Sequence, residues 1–337
     1  MKLSFSAISK YVKCPKMYNL HYNLRVREVT KGSALFFGTA IDDALNTLLN
    51  DPERSLERCL ATFRDKWTTQ EINSVKTPLA DDPNVIFFNG DFDIGVLLDE
   101  DSFIIFEHLK NLGFEFDSQN LDQIHKELCT SKREKRFTAD EKVIFNYLAW
   151  YSLLRKGEMI LNAYYTQVLP RIVRVISMQK YFSIRNDVDD ELIGFIDMIA
   201  EFLCDDGVVR VIRFDHKTSA LKYEDDSVKE SEQLATYTIA TEEEWPQKTA
   251  AFIVMEKKIR KKDPRVRITV IIDEIPQALE DKVLEQYDNA CEKIKAGEFP
   301  ANLESCVDAK GFRCSYYKLC HESSMDGLVS LDTKEKR

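Results

Sequence analysis

The chain has 337 residues, 44% of them hydrophobic, and its 57 acidic and 47 basic side chains give a net charge of −10. This length allows a large buried core in one large or two small domains, while the acidic balance argues against broad, nonspecific coating of a nucleic acid. The sequence has neither a long apolar run nor a secretory leader, so we predict a cytoplasmic protein without a membrane span.

Two features stand out in the first fifty residues. Cys14 precedes a proline, in a segment with spaced Ser and Tyr residues. Further along, residues 37–42 read Phe-Gly-Thr-Ala-Ile-Asp and are followed by apolar residues at helical spacing, namely Leu45, Leu48 and Leu49. We therefore predict that this segment leads into an amphipathic helix.

The segment 51–169 is predicted to be a mostly helical insertion. Thr138 and Glu141 form a capping-box pattern, which opens a long helix running to about Val168. The sequence contains no Gly-x-x-x-x-Gly-Lys-Ser/Thr phosphate loop, so we expect no fused helicase motor of that type.

Two predicted strands follow, at 191–204 and 208–217, and the residues between them are Asp205, Asp206 and Gly207. Asp and Gly readily adopt turn conformations, so this junction predicts a β-hairpin. The turn pairs Cys204 with Val208 and thereby sets the register of the two strands.

This register brings three polar side chains together. Asp197 and Asp215 lie equally far from the turn and therefore oppose each other, with Cβ atoms about 4.5–5.5 Å apart, a distance that one divalent cation can bridge. Side chains alternate along a strand, so Lys217 points the same way as Asp215. The strand is mostly apolar on both faces, and uncompensated carboxylates buried there are costly. The pattern predicts a bound cation, with a purely structural Asp–Lys network as the alternative.

A second capping-box pattern, Ser227 with Glu230, predicts a helix that runs to about Ala240. Within this helix, Gln233 and Tyr237 are four residues apart and share one face.

A basic run joins the predicted strands 250–255 and 267–272. Its Asp-Pro pair indicates a turn, so the basic side chains would project from a hairpin close to the acidic pair. We predict that they contact phosphates, with a merely solvated loop as the alternative. The residues are Lys257, Lys258, Arg260, Lys261, Lys262 and Arg265.

The chain has eight cysteines. In a reducing compartment, clustered cysteines indicate metal or redox chemistry rather than disulfides. Cys306, Cys314 and Cys320 lie close together near the C-terminus, and we interpret four of the other five cysteines as ordinary buried thiols. The remaining one, Cys14, is a candidate fourth ligand.

The sequence resembles the PD-(D/E)XK nuclease superfamily in four motifs, and within it the RecB-like branch that includes AddB-type nucleases. The resemblance covers the first fifty residues and about 176–321. The motifs are Gly38-x-x-x-Asp42, Gly194-x-x-Asp197, Asp215-His216-Lys217-Thr218-Ser219 and Gln233-Leu234-x-x-Tyr237.

The resemblance implies a metal site and a metal cluster. Mg²⁺ or Mn²⁺, which are hard cations that prefer oxygen ligands, would be held by Asp42, Asp197, Asp215 and the backbone carbonyl of His216. The cysteines resemble the iron–sulfur staple of AddB-like nucleases, which implies a 4Fe-4S cluster on Cys14, Cys306, Cys314 and Cys320. Zinc is the alternative metal, because four thiolates also form a closed tetrahedral site.

The resemblance also implies catalytic roles. Lys217 would orient or deprotonate the attacking water and balance the charge that develops on the phosphate. Gln233 and Tyr237 would position the water or a DNA phosphate.

The expected fold is α/β, a restriction-endonuclease-like mixed central sheet flanked by helices. Residues 1–50 and 170–322 would form the nuclease core with its cysteine cluster, 51–169 the mostly helical insertion, and 323–337 a polar, frayed tail. The expected activity is metal-dependent hydrolysis of DNA, as an exonuclease on single strands or ends, in the cytoplasm of a prokaryotic or phage-infected cell. We expect roles in DNA processing, recombination or repair. The alternatives are a structure-selective endonuclease and a catalytically silent module that binds DNA or a partner.

Overall fold

The computed structural model describes residues 1–29, 31–72, 75–78, 86–87, 96–97, 99–114, 138–220, 222–258, 265–307, 311 and 313–331. Its strands are β1 Lys2–Ser4, β2 Val26–Glu28, β3 Lys31–Gly32, β4 Thr69–Ile72, β5 Val75–Pro78, β6 Ile86–Phe87, β7 Ile172–Arg185, β8 Glu191–Leu203, β9 Val209–Ser219, β10 Thr249–Glu256, β11 Ile268–Glu274 and β12 Leu328–Ser330. Its α-helices are α1 Phe5–Lys13, α2 Pro15–Tyr18, α3 Ser33–Asn50, α4 Leu56–Thr68, α5 Asp99–Asn111, α6 Ala139–Gln167, α7 Glu232–Ile239, α8 Gln277–Lys295 and α9 Tyr317–Glu322.

The central element is a mixed sheet in the order β1-β8-β9-β10-β11, with β7 paired to the other edge of β8. The pairs β1–β8 and β9–β10 are parallel, while β7–β8, β8–β9 and β10–β11 are antiparallel. Helices cover both faces, which confirms the predicted mixed sheet flanked by helices.

The hairpin between β8 and β9 has the predicted register. The N–H of Cys204 donates to the carbonyl of Val208 at 2.9 Å, and Gly207 has the positive φ of 78° that the turn requires. The strand pairing then continues to Met198 opposite Phe214. It ends one pair before the predicted Asp197–Asp215 pair.

Two hydrophobic clusters lie on opposite faces of the sheet. Along β10, alternate residues enter different clusters: Ala251, Ile253 and Met255 enter one, and Ala250, Phe252 and Val254 enter the other. The first cluster contains residues of α3, α4 and α6, and we call this side the α3 face. The second contains residues of α1, α7 and α8, and we call this side the α7 face.

The predicted insertion packs directly on the core. The long helix α6 begins with the predicted capping box of Thr138 and Glu141, and α4 and α6 share one hydrophobic cluster with α3. The division into a core and an insertion remains a prediction.

Three predicted local features are wrong. The helix α3 begins at Ser33, so Gly38 and Asp42 lie inside the helix rather than before it. The helix α7 is capped by Ser231, whose hydroxyl accepts from the N–H of Leu234, and Ser227 belongs to a short 3₁₀ turn instead. In the expected frayed tail, β12 pairs antiparallel with β2.

The N-terminal helices pack against the segment that follows α8. The hydroxyl of Tyr11 donates to the carbonyl of Glu298 at 2.7 Å, and the ring of Tyr18 stacks on Phe299 with centroids 6.1 Å apart. Residues almost three hundred positions apart are thereby joined.

Candidate active site

The candidate site begins at a gap along one edge of β8. This edge pairs with β1 as far as Ile193 and with β9 from Met198 onward, which leaves 194–197 between them. Asp197 lies at the end of this gap, and its carboxylate accepts the backbone N–H of His216 at 2.9 Å. A side chain thus replaces the next backbone hydrogen bond at the point where the two strands separate.

The side-chain alternation of β8 also changes at this point. Ile196 packs on the α7 face and Met198 on the α3 face, although residues two apart on a regular strand share a face. Opposite Asp197, Gln179 of β7 has a φ of 47°, which is uncommon for a residue other than glycine. A local irregularity of both strands therefore sets the direction of the Asp197 carboxylate.

Asp215 and Lys217 share the α7 face, as the alternation of β9 predicts. Asp215 is 1% exposed, and its carboxylate lies 2.7 Å from the ammonium of Lys217. Asp197 lies close to this pair, and its negative charge favours a higher pKa for both Asp215 and Lys217.

Gln233 and Tyr237, on one face of α7, complete this arrangement. The ammonium of Lys217 donates to Gln233 Oε1 at 2.9 Å, and Gln233 Nε2 donates to the Tyr237 hydroxyl at 3.0 Å. The Tyr237 hydroxyl in turn donates to Asp215 at 3.4 Å. The sequence predicted that both residues face the site, and the structure places them in contact with Lys217 and Asp215.

Arg213 fixes the loop that follows α7. Its guanidinium is fully buried and donates to the carbonyls of Thr241, Trp245 and Gln247 and to the Thr241 hydroxyl. Because Arg213 precedes Asp215 by two residues on β9, this anchor ties the end of α7 to the strand that carries the site.

Asp42 approaches the site from α3. One ligand atom from each of Asp42, Asp197 and His216 lies within 4.8 Å of the other two. The ring of His216 is positioned by the hydroxyl of Tyr164, which lies 3.1 Å from Nε2. The sequence suggested only the backbone carbonyl of His216 as a ligand, and the structure adds its imidazole as a second candidate donor.

The site gathers three carboxyl groups around one ammonium, and burial perturbs the protonation of these groups. Burial, followed by the neighbouring Asp197 and Asp215, raises the pKa of Asp42 from 3.8 to about 8. Burial also raises the pKa of Asp215, against the opposing effect of Lys217. Burial alone would lower the pKa of Lys217, but Asp215 and Asp197 together raise it above its ordinary value.

Burial lowers the pKa of His216, so its ring is neutral at pH 7 and can offer a lone pair. Three carboxyl groups therefore share one ammonium. This donor set, rich in oxygen and short of positive charge, fits a divalent cation such as Mg²⁺ or Mn²⁺.

The predicted basic hairpin is only partly supported. The strands β10 and β11 form the hairpin, but Lys257 is 7% exposed and its ammonium lies over the ring of Phe37 at 5.7 Å. The prediction that Lys257 projects toward phosphates is therefore wrong. Lys258 and Arg265 are exposed, while Arg260, Lys261 and Lys262 lie outside the described residues.

The four predicted cluster cysteines come together from both ends of the chain. Cys14 lies between α1 and α2 and accepts the N–H of Asn302 at 3.4 Å, and Cys306 donates to the carbonyl of the same Asn302 at 3.6 Å. Burial, followed by the thiols of Cys306, Cys14 and Cys320, raises the pKa of Cys314. All four are free thiols.

No three of these four cysteines have their sulfurs within 4.8 Å of one another. Among the described residues, the acid–histidine group is the one set of three His, Cys, Asp or Glu side chains with ligand atoms within 4.8 Å of one another. Three of the other cysteines are buried, as interpreted from the sequence: Cys59, Cys204 and Cys291. Cys129 lies outside the described residues.

Comparison with known proteins gives a family and a distant structural match. The family model of the PD-(D/E)XK nuclease superfamily matches residues 2–84 and 115–321. The crystal structure of a "Putative exonuclease" from Eubacterium rectale matches with 12% identity and a TM-score of 0.30, over 85% of this chain and 87% of that chain. A search of curated proteins gave no match. Within the described part of the chain, none of the helices combines the length and apolar composition needed to cross a membrane.

Proposed function

The chain belongs to the PD-(D/E)XK nuclease superfamily, and on this premise we propose that it is a metal-dependent deoxyribonuclease of the RecB-like, AddB-like branch. We propose that it acts as an exonuclease on single-stranded DNA or DNA ends. The observation that carries the proposal is the meeting of Asp197, Asp215 and Lys217 where β8 and β9 separate. Such a set of groups is suited to the hydrolysis of a phosphodiester.

The proposed metal ligands are the carboxylates of Asp42, Asp197 and Asp215 and one donor of His216. A bound Mg²⁺ or Mn²⁺ would supply a water with a lowered pKa and would polarise the phosphate. The protein's own contribution is a prearranged set of carboxylates, in which burial, followed by repulsion from Asp197 and Asp215, raises the pKa of Asp42. Cation binding would favour the ionised form of this carboxyl.

Lys217 is proposed to act mainly as a fixed positive charge. Its pKa is raised, so it is an ammonium at neutral pH, and its hydrogen bonds to Asp215 and Gln233 hold it in place. A held ammonium stabilises charge that develops on a phosphate and orients a water. This arrangement supports an electrostatic role more than the removal of a proton from the water.

Gln233 and Tyr237 are proposed to position the catalytic groups rather than the substrate. Their hydrogen-bonding atoms are directed at Lys217 and Asp215 and at each other. Loss of either side chain would leave a buried charged group with fewer partners.

We also propose a 4Fe-4S cluster on Cys14, Cys306, Cys314 and Cys320. Tetrahedral zinc, with Zn–S bonds of about 2.3 Å, would need sulfurs about 3.8 Å apart. In contrast, no three of these four sulfurs lie within 4.8 Å of one another. A 4Fe-4S cluster carries each thiolate on a different iron and so does not require the sulfurs to be this close together.

The cluster is tested by the colour and metal content of the purified protein. We expect a brown protein with iron and acid-labile sulfide, and Cys320→Ser should bleach it. Cys59→Ala, which changes a buried thiol of α4, should keep the colour. A colourless protein with stoichiometric zinc would contradict the cluster assignment.

The nuclease activity is tested with end-labelled linear single strands, linear duplexes and circular single strands, each with Mg²⁺ or Mn²⁺. An exonuclease should degrade the linear substrates and leave the circle intact, because a circle has no end. Cleavage of the circle would instead indicate the endonuclease alternative.

Lys217→Ala should lower the cleavage rate at least about 100-fold. The matched control is Lys142→Ala, which changes an exposed lysine of α6 and should leave the rate unchanged. Full Mn²⁺-dependent cleavage by the Lys217→Ala protein would show that the assignment of the site is wrong.

A further inference from the structure

We propose that Tyr181 and Phe195 form a stacking platform that receives an unpaired base of single-stranded DNA beside the acidic site. This inference rests on the proposed nuclease function and deepens it, because it assigns a binding site for the substrate strand.

The two rings form an exposed aromatic pair on the sheet. Tyr181 is 50% exposed and Phe195 is 55% exposed. They are direct cross-strand partners on β7 and β8, with ring centroids 5.5 Å apart and planes at 63°. Each ring thus supports the other from the side while part of its surface remains free.

The pair lies next to the candidate site. Phe195 belongs to the gap segment of β8 and precedes Asp197 by two residues, which corresponds to about 7 Å along a strand. No strand of the described chain pairs with this segment on the edge that faces the site. A chain of nucleotides that enters the gap would therefore pass the aromatic pair.

The rings project toward the side from which Asp42 approaches. Ile196 and Phe182, which neighbour them in sequence, pack on the α7 face together with Tyr237. Because side chains alternate along a strand, Phe195 and Tyr181 project from the opposite face, on which α3 carries Asp42. The aromatic pair and Asp42 thus lie on the same side of the sheet, beside the gap that ends at Asp197.

The chemistry of the pair selects an unpaired base. Nucleobases stack on exposed aromatic rings, with little dependence on sequence, because every base has a π-face. In a duplex both faces of an internal base are already stacked, so such a platform favours single strands or frayed ends. This selectivity agrees with the proposed substrate.

The test measures binding of a short single-stranded oligonucleotide to the full chain in the presence of a chelator, which prevents cleavage. The variants are Tyr181→Ala, Phe195→Ala and the aromatic-conserving Phe195→Trp. The matched control is Val173→Ala, which changes another exposed apolar residue of β7, eight residues or about 26 Å from Tyr181. A series of oligonucleotides with one abasic position each locates the stacked base.

Each alanine variant should raise the Kd for the single strand about tenfold, while Phe195→Trp and the control should bind as the wild type does. An abasic substitution at one position should weaken wild-type binding by a similar factor and should have no effect on the Phe195→Ala protein. In cleavage, KM should rise and kcat should stay unchanged.

Three results would overturn the proposal: an unchanged Kd in both alanine variants, equal abasic profiles in wild type and variant, or an equal loss of affinity for a blunt duplex. These results are distinguishable from failure of the nuclease function. If the nuclease function fails, the wild type cleaves no DNA with either metal. If only the platform fails, the alanine variants remain active enzymes and their KM is unchanged.

Discussion

Replacement of Asp42 by asparagine should stabilise the metal-free protein at neutral pH. The pKa of Asp42 is raised from 3.8 to about 8 in the folded protein. Well below pH 3.8 the carboxyl is protonated in both the folded and the unfolded state, so it does not affect the free energy of unfolding. As the pH rises toward 8, the unfolded chain loses this proton while the folded chain keeps it, so the free energy of unfolding falls.

The magnitude follows from this difference in pKa. One pKa unit corresponds to about 1.4 kcal/mol, so at pH 7, about three units above the ordinary pKa of 3.8, the buried carboxyl lowers the free energy of unfolding by about 4 kcal/mol relative to acid pH. Asparagine has a similar shape and does not titrate. The free energy of unfolding of the Asp42→Asn protein should therefore exceed that of the wild type. The difference should grow with pH and level off above pH 8.

The assay is urea unfolding with a chelator at several pH values between about 4 and 8. Asp43→Asn is the matched control, because Asp43 is the next residue of α3 but lies 3.2 Å from Lys66. If the free energies of unfolding of Asp42→Asn and wild type differed by the same amount at every pH, the reasoning would be refuted. With Mn²⁺ added, the wild type should gain more stability than the variant, because only the wild type keeps the full set of carboxylates.

Three further substitutions test the surroundings of the site. Tyr164→Phe removes the hydroxyl 3.1 Å from His216 and should weaken Mn²⁺ binding about tenfold in titration calorimetry; unchanged affinity would argue against His216 as a ligand. Arg213→Met removes the buried guanidinium that donates to the loop after α7 and should lower the free energy of unfolding by about 3 kcal/mol. Wild-type stability would mean that the guanidinium makes no net contribution. Gly157→Ala would place a Cβ 1.9 Å from the ring of Phe63, so denaturant unfolding should show a loss of about 1–3 kcal/mol; wild-type stability would mean that the ring moves freely aside.

The hairpin that carries the site could be predicted because its signals are local. The turn Asp205–Gly207 fixes the register, and the alternation of β9 fixes the relation of Asp215 to Lys217. The positions of Gln233 and Tyr237 on one face of α7 follow from helical spacing in the same way. In each case the relevant residues are close in sequence.

The features that the sequence did not reveal depend on contacts between residues that are far apart in the sequence. The imidazole of His216 should point away from Asp215 by alternation, and it meets Asp197 only because β8 is irregular there. The charge run around Lys257 gives no sign that this residue lies over Phe37 of α3. Two serines, Ser227 and Ser231, precede α7, and the choice between them is made by the position of the helix on the sheet rather than by the capping pattern.

The contacts between Tyr11 and Glu298 and between Tyr18 and Phe299 have a consequence for synthesis of the protein. Translation delivers the acidic residues of β8 and β9 well before the segment that packs on α1 and α2. Until that segment has left the ribosome, the N-terminal helices lack this support. We therefore expect the packing around α1 and α2 to be completed late, after the strands that carry the candidate site have emerged from the ribosome.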